Sequence, residues 1–113
     1  MRLPLTEAGN FAAVDTAAVE GMVDDFLAAG FTYFDTAYMY HDFRSECVVR
    51  EALVKRHDRD AFTLASKLPT MFLKTEEDQE RIFGEQLEKC GVAYFDYYLL
   101  HNLNVTNLSL IHI

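Results

Sequence analysis

Apolar residues at Val19, Met22, Val23, Phe26 and Leu27 recur at the i, i+3, i+4, i+7, i+8 spacing of an amphipathic helix over residues 15–29. Asp15 or Thr16 can cap its first turn, and Gly30 supplies a left-handed residue to end it. Phe31-Thr-Tyr-Phe-Asp35 then reads as a short strand, aromatic and β-branched, stopped by a carboxylate. A polar, aromatic loop runs from Thr36 to Arg44. Ser45 is the expected cap of a second helix through Arg56, with Val48, Val49, Ala52 and Leu53 on one face. Lys55 and Arg56 complement its negative end. Ala61 to Lys67 forms the next strand, and Pro69 prevents it from running on as a helix. Thr75 opens a third helix with Glu76, Glu77 and Asp78 at its positive end. Its buried stripe is Ile82, Phe83, Leu87 and Cys90, and Gly91 closes it. Tyr94 to His101 is nearly unbroken in apolar character, which predicts a strand covered on both faces.

Helices and strands thus alternate with short linkers, the pattern of parallel strands joined by right-handed crossovers. The repeat is close to the roughly 30 residues of one βα unit in a parallel barrel. The predicted fold class is α/β: the N-terminal portion of a (β/α)8 TIM barrel, truncated, because 113 residues are too few for the whole. One period back from Asp35 lies Leu3, so Met1 to Leu3 is expected to be the stub of an earlier strand. Residues 1–107 are read as this barrel segment. Leu108 to Ile113 equals the translation of a transposon-end sequencing adapter, so 108–113 is expected to be a non-native tail in which His112 has no meaning. The natural frame is then expected to continue, with a segment upstream of Met1 also missing.

Composition narrows the functional classes. A net charge of -8 argues against nucleic acid or anionic membrane as partner. No apolar run approaches a membrane span, and the N-terminus lacks a signal-peptide layout. Cys47 and Cys90 are isolated within helical patterns, which suits reduced thiols and a cytoplasmic location.

Asp35, Lys67 and His101 each close an apolar run, 32 and 34 residues apart. They therefore occupy the same place in successive units, the C-terminal ends of strands, where barrel enzymes build their active sites. Taken singly, each has an ordinary explanation. Asp35 alone suits a helix cap, Tyr40 alone suits packing, and His101 alone suits a core histidine. Lys67 is less ordinary, since a lysine is almost never buried without a partner, and Asp35 on the neighbouring strand is the obvious one. A phenol has an ordinary pKa near 10. An adjacent ammonium favours the phenolate, and a carboxylate keeps that ammonium in place. With His101 donating to a substrate oxygen, these groups make a proton donor for an oxygen gaining negative charge, as when a carbonyl accepts a hydride.

Gly30-Phe-Thr-Tyr-Phe-Asp-Thr-Ala-Tyr-Met-Tyr40, followed by Ser45-Glu46 and Glu51-Ala-Leu53, resembles the first signature of the aldo-keto reductases. Leu64-Ala-Ser-Lys-Leu-Pro69 and Tyr94-Phe-Asp-Tyr-Tyr-Leu-Leu-His101 are similar to the second and third strands of that family, in order and at the right distances. The resemblance covers residues 1 to about 105. It implies Tyr40 as general acid, Lys67 and Asp35 as the groups that tune it, and His101 with Asn102 as substrate-binding residues. It also implies NADPH as hydride donor and a small aldehyde or ketone as substrate. Met1-Arg-Leu-Pro4, the Tyr40-His41 pair and His101-Asn-Leu-Asn104 resemble a microbial branch that often carries a C-terminal ferredoxin-like segment. A four-iron iron–sulfur cluster is thus an expectation for residues beyond this sequence. Arg50 replaces the glycine usual in the second helix, a departure expected to affect packing more than chemistry.

The family's cofactor contacts come largely from later strands, so these 113 residues alone are expected neither to bind NADPH tightly nor to turn over. Two other readings remain. One is a cofactor-binding regulatory subunit of the same fold without turnover. The other is a metal-dependent barrel hydrolase with Asp35 and His101 as ligands, disfavoured because Lys67 at the same rim would repel a cation.

Overall fold

The structure, a computed structural model, describes residues 2–110. Asp15 caps the first helix, α1 (Thr16–Ala28), by accepting the Ala18 amide at 3.1 Å. Gly30, at φ +90°, turns the chain into β1 (Tyr33–Asp35). The strand is shorter than its aromatic run because parallel pairing begins only at Tyr33, opposite Thr63 of β2 (Thr63–Pro69). Between them lies α2 (Ser45–Val49), which continues as a π-helical stretch, Arg50–Val54. A third helix, α3 (Glu77–Cys90), leads to β3 (Tyr97–His101). The sheet order is β1-β2-β3, all parallel, as the alternation of elements predicts.

The central strand carries the core. Leu64 of β2 packs in one cluster with Val19 and Val23 of α1, Val48, Val49, Ala52 and Leu53 of the second helix, and Cys90 of α3. Leu68 packs with Leu73 and Ile82 nearer the carboxyl end of the sheet. Gly91, at φ +69°, ends α3 in the left-handed conformation expected of it. The Arg50 side chain lies across this turn, 3.1 Å from where a Cβ on Gly91 would sit.

Several expectations are corrected. The cap position of α2 is Arg44, one residue before the expected Ser45, and makes no side-chain cap bond; the Ser45 hydroxyl pairs with Thr36 Oγ1 at 2.9 Å. Met22 and Phe26 are 52% and 37% exposed, since α1 packs through Val19 and Val23 while the other two border an open apolar cleft beside β1. The strand at β3 is not covered on both faces. Tyr97, Leu99 and Leu100 are all exposed, because among the described residues β3 is an edge strand of the sheet. Leu3 joins no strand. Leu5 instead bridges Val14 in antiparallel fashion, closing residues 5–14 into a loop. Cys47 is exposed and Cys90 buried. Asn107 is buried and donates to Thr70 Oγ1, and Leu108–Leu110 forms a 3-10 turn. Met1, and Ile111 to Ile113 of the expected adapter tail with His112, lie outside the described residues. Among the described residues no helix is long and apolar enough to cross a membrane.

Candidate active site

Strand register explains why the spaced polar residues meet. Asp35 pairs with Ala65, two residues before Lys67, and Lys67 pairs with Leu99, two before His101. Side chains alternate along a strand, so Asp35, Lys67 and His101 project from one face. Each successive group also sits further along the sheet, the stagger by which tilted strands close into a barrel.

At this rim the Lys67 ammonium donates to Asp35 Oδ1 and Oδ2, both at 2.8 Å, and to the Thr36 carbonyl at 2.7 Å. Three acceptors match its three protons. The Lys67 side chain is only 14% exposed, so the carboxylate and carbonyl replace its lost hydration. Tyr40 lies over this cation, with its ring centroid 4.8 Å from Nζ. That is cation–π distance, and it couples charge to phenol through the ring face. The His101 ring meets Tyr40 edge-on, with centroids 5.7 Å apart at 80°. Burial, and secondarily Lys67, hold the His101 imidazole below its ordinary pKa of 6.5. It is therefore neutral at physiological pH, with one donor and one acceptor nitrogen. Its Nδ1 is buried and, among the described residues, has no hydrogen-bond partner. All four residues expected at the site thus come together. Asn102, the fifth, follows at the strand end in a left-handed conformation (φ 55°) and is exposed. Thr70 holds that corner, donating to the carbonyl oxygens of His101 and Asn102.

Two features escaped the sequence reading. The first is a buried polar network under β2. Glu46 and Gln86 are fully buried; Ser66 donates to Glu46 at 2.7 Å, and Gln86 Nε2 donates to Glu46 at 2.8 Å and to the Lys67 carbonyl at 2.9 Å. Tyr98 donates to Gln86 Oε1. Burial raises the Glu46 pKa, opposed by these donors and by Lys89 at 3.5 Å. The network reaches the backbone of Lys67 from the helix side. A signal existed, since Gln86 falls at i+4 from Ile82 and i−4 from Cys90, inside the apolar stripe of α3.

The second is the backbone after Tyr40. His41, Asp42 and Phe43 all have positive φ, at 54°, 52° and 67°. Left-handed backbone costs a residue with a Cβ roughly 1–2 kcal/mol, so three in succession need outside support. Phe43 finds it against Tyr38 and Phe72, with centroids 5.4 and 5.8 Å away. His41 finds it by burial.

The arrangement is suited to giving a proton to an oxygen that gains charge. Among the described residues, no group of three or more His, Cys, Asp or Glu side chains is placed to hold a metal. Both Asp35 oxygens face an ammonium instead.

Comparison with known proteins agrees with this geometry. The family model for the aldo/keto reductase family matches residues 5–108. No curated protein matches significantly. Among solved structures, an aldo/keto reductase from Brucella melitensis shares 30% identity at a TM-score of 0.60, over 74% of this chain and 30% of that one. An aldo-keto reductase from Klebsiella pneumoniae, solved in complex with NADPH, shares 29% identity at a TM-score of 0.65, over 88% and 33%. An aldo-keto reductase from Bacillus halodurans in holo form is similar in fold, with a TM-score of 0.72 at 22% identity over 96% and 38%. This chain spans about a third of the length of these structures. With its strand-end tetrad and a family match over nearly its whole length, the chain belongs to the aldo/keto reductase family.

Proposed function

We propose that the whole protein carrying this segment reduces a small aldehyde or ketone with NADPH, with Tyr40 as general acid. The reading further places it in the cytoplasm, with neither nucleic acid nor membrane as partner. One observation carries it: an ammonium fixed by Asp35 and the Thr36 carbonyl lies 4.8 Å from the Tyr40 ring, which His101 meets edge-on.

The residues present fit the proton-donor half of such a reaction. A phenol, a fixed cation and a buried imidazole nitrogen without a partner share one rim. NADPH, when bound, supplies the hydride. No described residue is assigned to its phosphates, and no iron–sulfur cluster is proposed on Cys47 and Cys90. Tyr40 gives its proton to the carbonyl oxygen as negative charge develops there. Lys67 stabilises the phenolate left behind, and Asp35 keeps the ammonium from swinging away. Neutral His101 orients the carbonyl by donating one hydrogen bond without competing as an acid.

The test is NADPH oxidation by the full-length protein against a panel of aldehydes and ketones. Tyr40→Phe is expected to lower kcat by about 10²–10⁴, the range for positioned acid catalysis, with NADPH affinity little changed. Full turnover by Tyr40→Phe would remove Tyr40 from the chemistry. NADPH binding by the unaltered protein without turnover of any carbonyl would favour the regulatory-subunit reading.

A further inference from the structure

His41 follows the proposed acid directly, yet its side chain points away from the site into the N-terminal loop. Its Nε2 lies 2.9 Å from the Leu3 amide nitrogen, and its Nδ1 lies 2.9 Å from the Phe11 carbonyl oxygen. An amide N–H can only donate and a carbonyl can only accept. The imidazole must therefore be neutral, with its proton on Nδ1 and Nε2 bare. Only 7% of the residue is exposed, and the Phe11 ring flanks it at 6.2 Å.

The turn that His41 occupies has a firm backbone bond at its end, from Arg44 N–H to the His41 carbonyl at 3.0 Å, but its earlier bonds are weaker. Tyr40 N–H reaches the Ala37 carbonyl at 3.4 Å and Phe43 N–H reaches the Met39 carbonyl at 3.4 Å, both long. The loop on the other side is well closed. Thr6 N–H bonds the Ala13 carbonyl and Asp15 N–H the Pro4 carbonyl, each at 2.8 Å. A firm loop is thus tied through the His41 side chain to a turn whose backbone bonds at Tyr40 and Phe43 are long.

We propose that His41 is a positioning residue: its Nδ1-protonated imidazole latches the N-terminal loop to the turn after Tyr40 and so keeps the Tyr40 ring between Lys67 and His101. The inference rests on Tyr40 being the proton donor, but its structural part does not. Leu3 and Phe11 act here through their backbone, so the latch reads the shape of the loop rather than its side chains.

Three variants of the full-length protein separate the latch from plain packing or backbone strain. His41→Gly relieves the left-handed backbone but removes both hydrogen bonds. His41→Phe keeps a ring and removes both bonds. His41→Asn tolerates the left-handed backbone and can keep the donor to the Phe11 carbonyl. Nitrogen NMR of the unaltered protein is expected to show the Nδ1–H tautomer. Hydrogen exchange at the Leu3 amide should speed up in Gly and Phe, and the ring contact between Tyr40 and His101 should weaken in the NMR spectrum.

For turnover, Gly and Phe should lower kcat by roughly 10–100-fold, the effect of a small misplacement of a reacting group, with KM for NADPH unchanged. Asn should recover part of that loss. If His41→Gly keeps the Leu3 protection, the Tyr40–His101 contact and kcat within about twofold, the latch is overturned, since backbone preference alone then holds the turn. If the unaltered protein reduces no carbonyl, the reductase reading fails separately, and exchange and ring contact still decide for or against the latch.

Discussion

Lys67 and Glu46 occupy opposite faces of one strand end and are satisfied in different ways. Lys67 faces the rim and has a carboxylate and a carbonyl for its protons. Glu46 lies on the helix side, fully buried, and depends on Ser66, Gln86 and a distant Lys89. Removing the carboxylate with Glu46→Ala takes the acceptor from the Ser66 hydroxyl and one acceptor from Gln86, which keeps the Lys67 carbonyl, besides opening a cavity. Unfolding of the full-length protein by denaturant should show a loss of about 2–5 kcal/mol, from the lost hydrogen bonds at about 1–3 kcal/mol each plus lost packing. At the rim, His101 gives a signed pH effect. Its folded pKa lies below the ordinary 6.5, so as pH falls through about 6.5 the unfolded chain takes up the proton first. Stability should therefore fall with pH in that window and be unaffected well above it, where both states are neutral. Denaturant midpoints measured across the window should show a shallower slope in His101→Gln than in the unaltered protein.

Among the elements, the helix ends do the placing. Gly91 ends α3 at φ +69° with the Arg50 side chain across it, so Gly91→Ala adds both backbone strain and a contact at 3.1 Å. A loss of roughly 1–2 kcal/mol in thermal or denaturant unfolding of the full-length protein is expected from the left-handed backbone. Combining it with Arg50→Ala should recover only the contact part, because the strain does not depend on Arg50. The Asp15 cap, the glycine stops and the Val48, Val49, Ala52, Leu53 stripe are readable from the chain, since each depends on neighbours within a turn or two. Strand ends were read less well. Both β1 and β3 begin two or three residues later than their apolar runs, because pairing partners and not composition decide where a ladder starts. The start of α2 shifts for a similar reason: the helix begins at Ser45 itself, whose hydroxyl pairs with Thr36 nine residues away.

For the molecule as a whole, both sheet edges are open and large side chains stand uncovered. Tyr33 and Tyr97 lie on the rim face at 47% and 55% exposure, and Leu99 beside them at 44%. Such a surface with unpaired strand edges favours association. The 113-residue polypeptide by itself is expected to show no cooperative thermal transition and to scatter light on warming. A sharp transition whose midpoint rises with added NADPH would contradict this. The same open face agrees with the chain spanning about a third of the length of the similar structures.

The regular spacing of Asp35, Lys67 and His101 after apolar runs was enough to establish alternating βα units and a shared polar rim, because strand period and repeat length are local properties of a chain. The signature around Tyr40 was likewise legible, as a string of residues is. Which atoms meet was another matter. The ammonium seated on Asp35 and Thr36, the phenol ring over it and against His101, the Gln86–Glu46 network behind and the His41 latch in front join residues far apart in the chain, 32 positions for Lys67 and Asp35 and 40 for Gln86 and Glu46. Long-range pairing of this kind follows from strand register and from burial that replaces water with the few protein partners in reach. Neither exists until the sheet has formed.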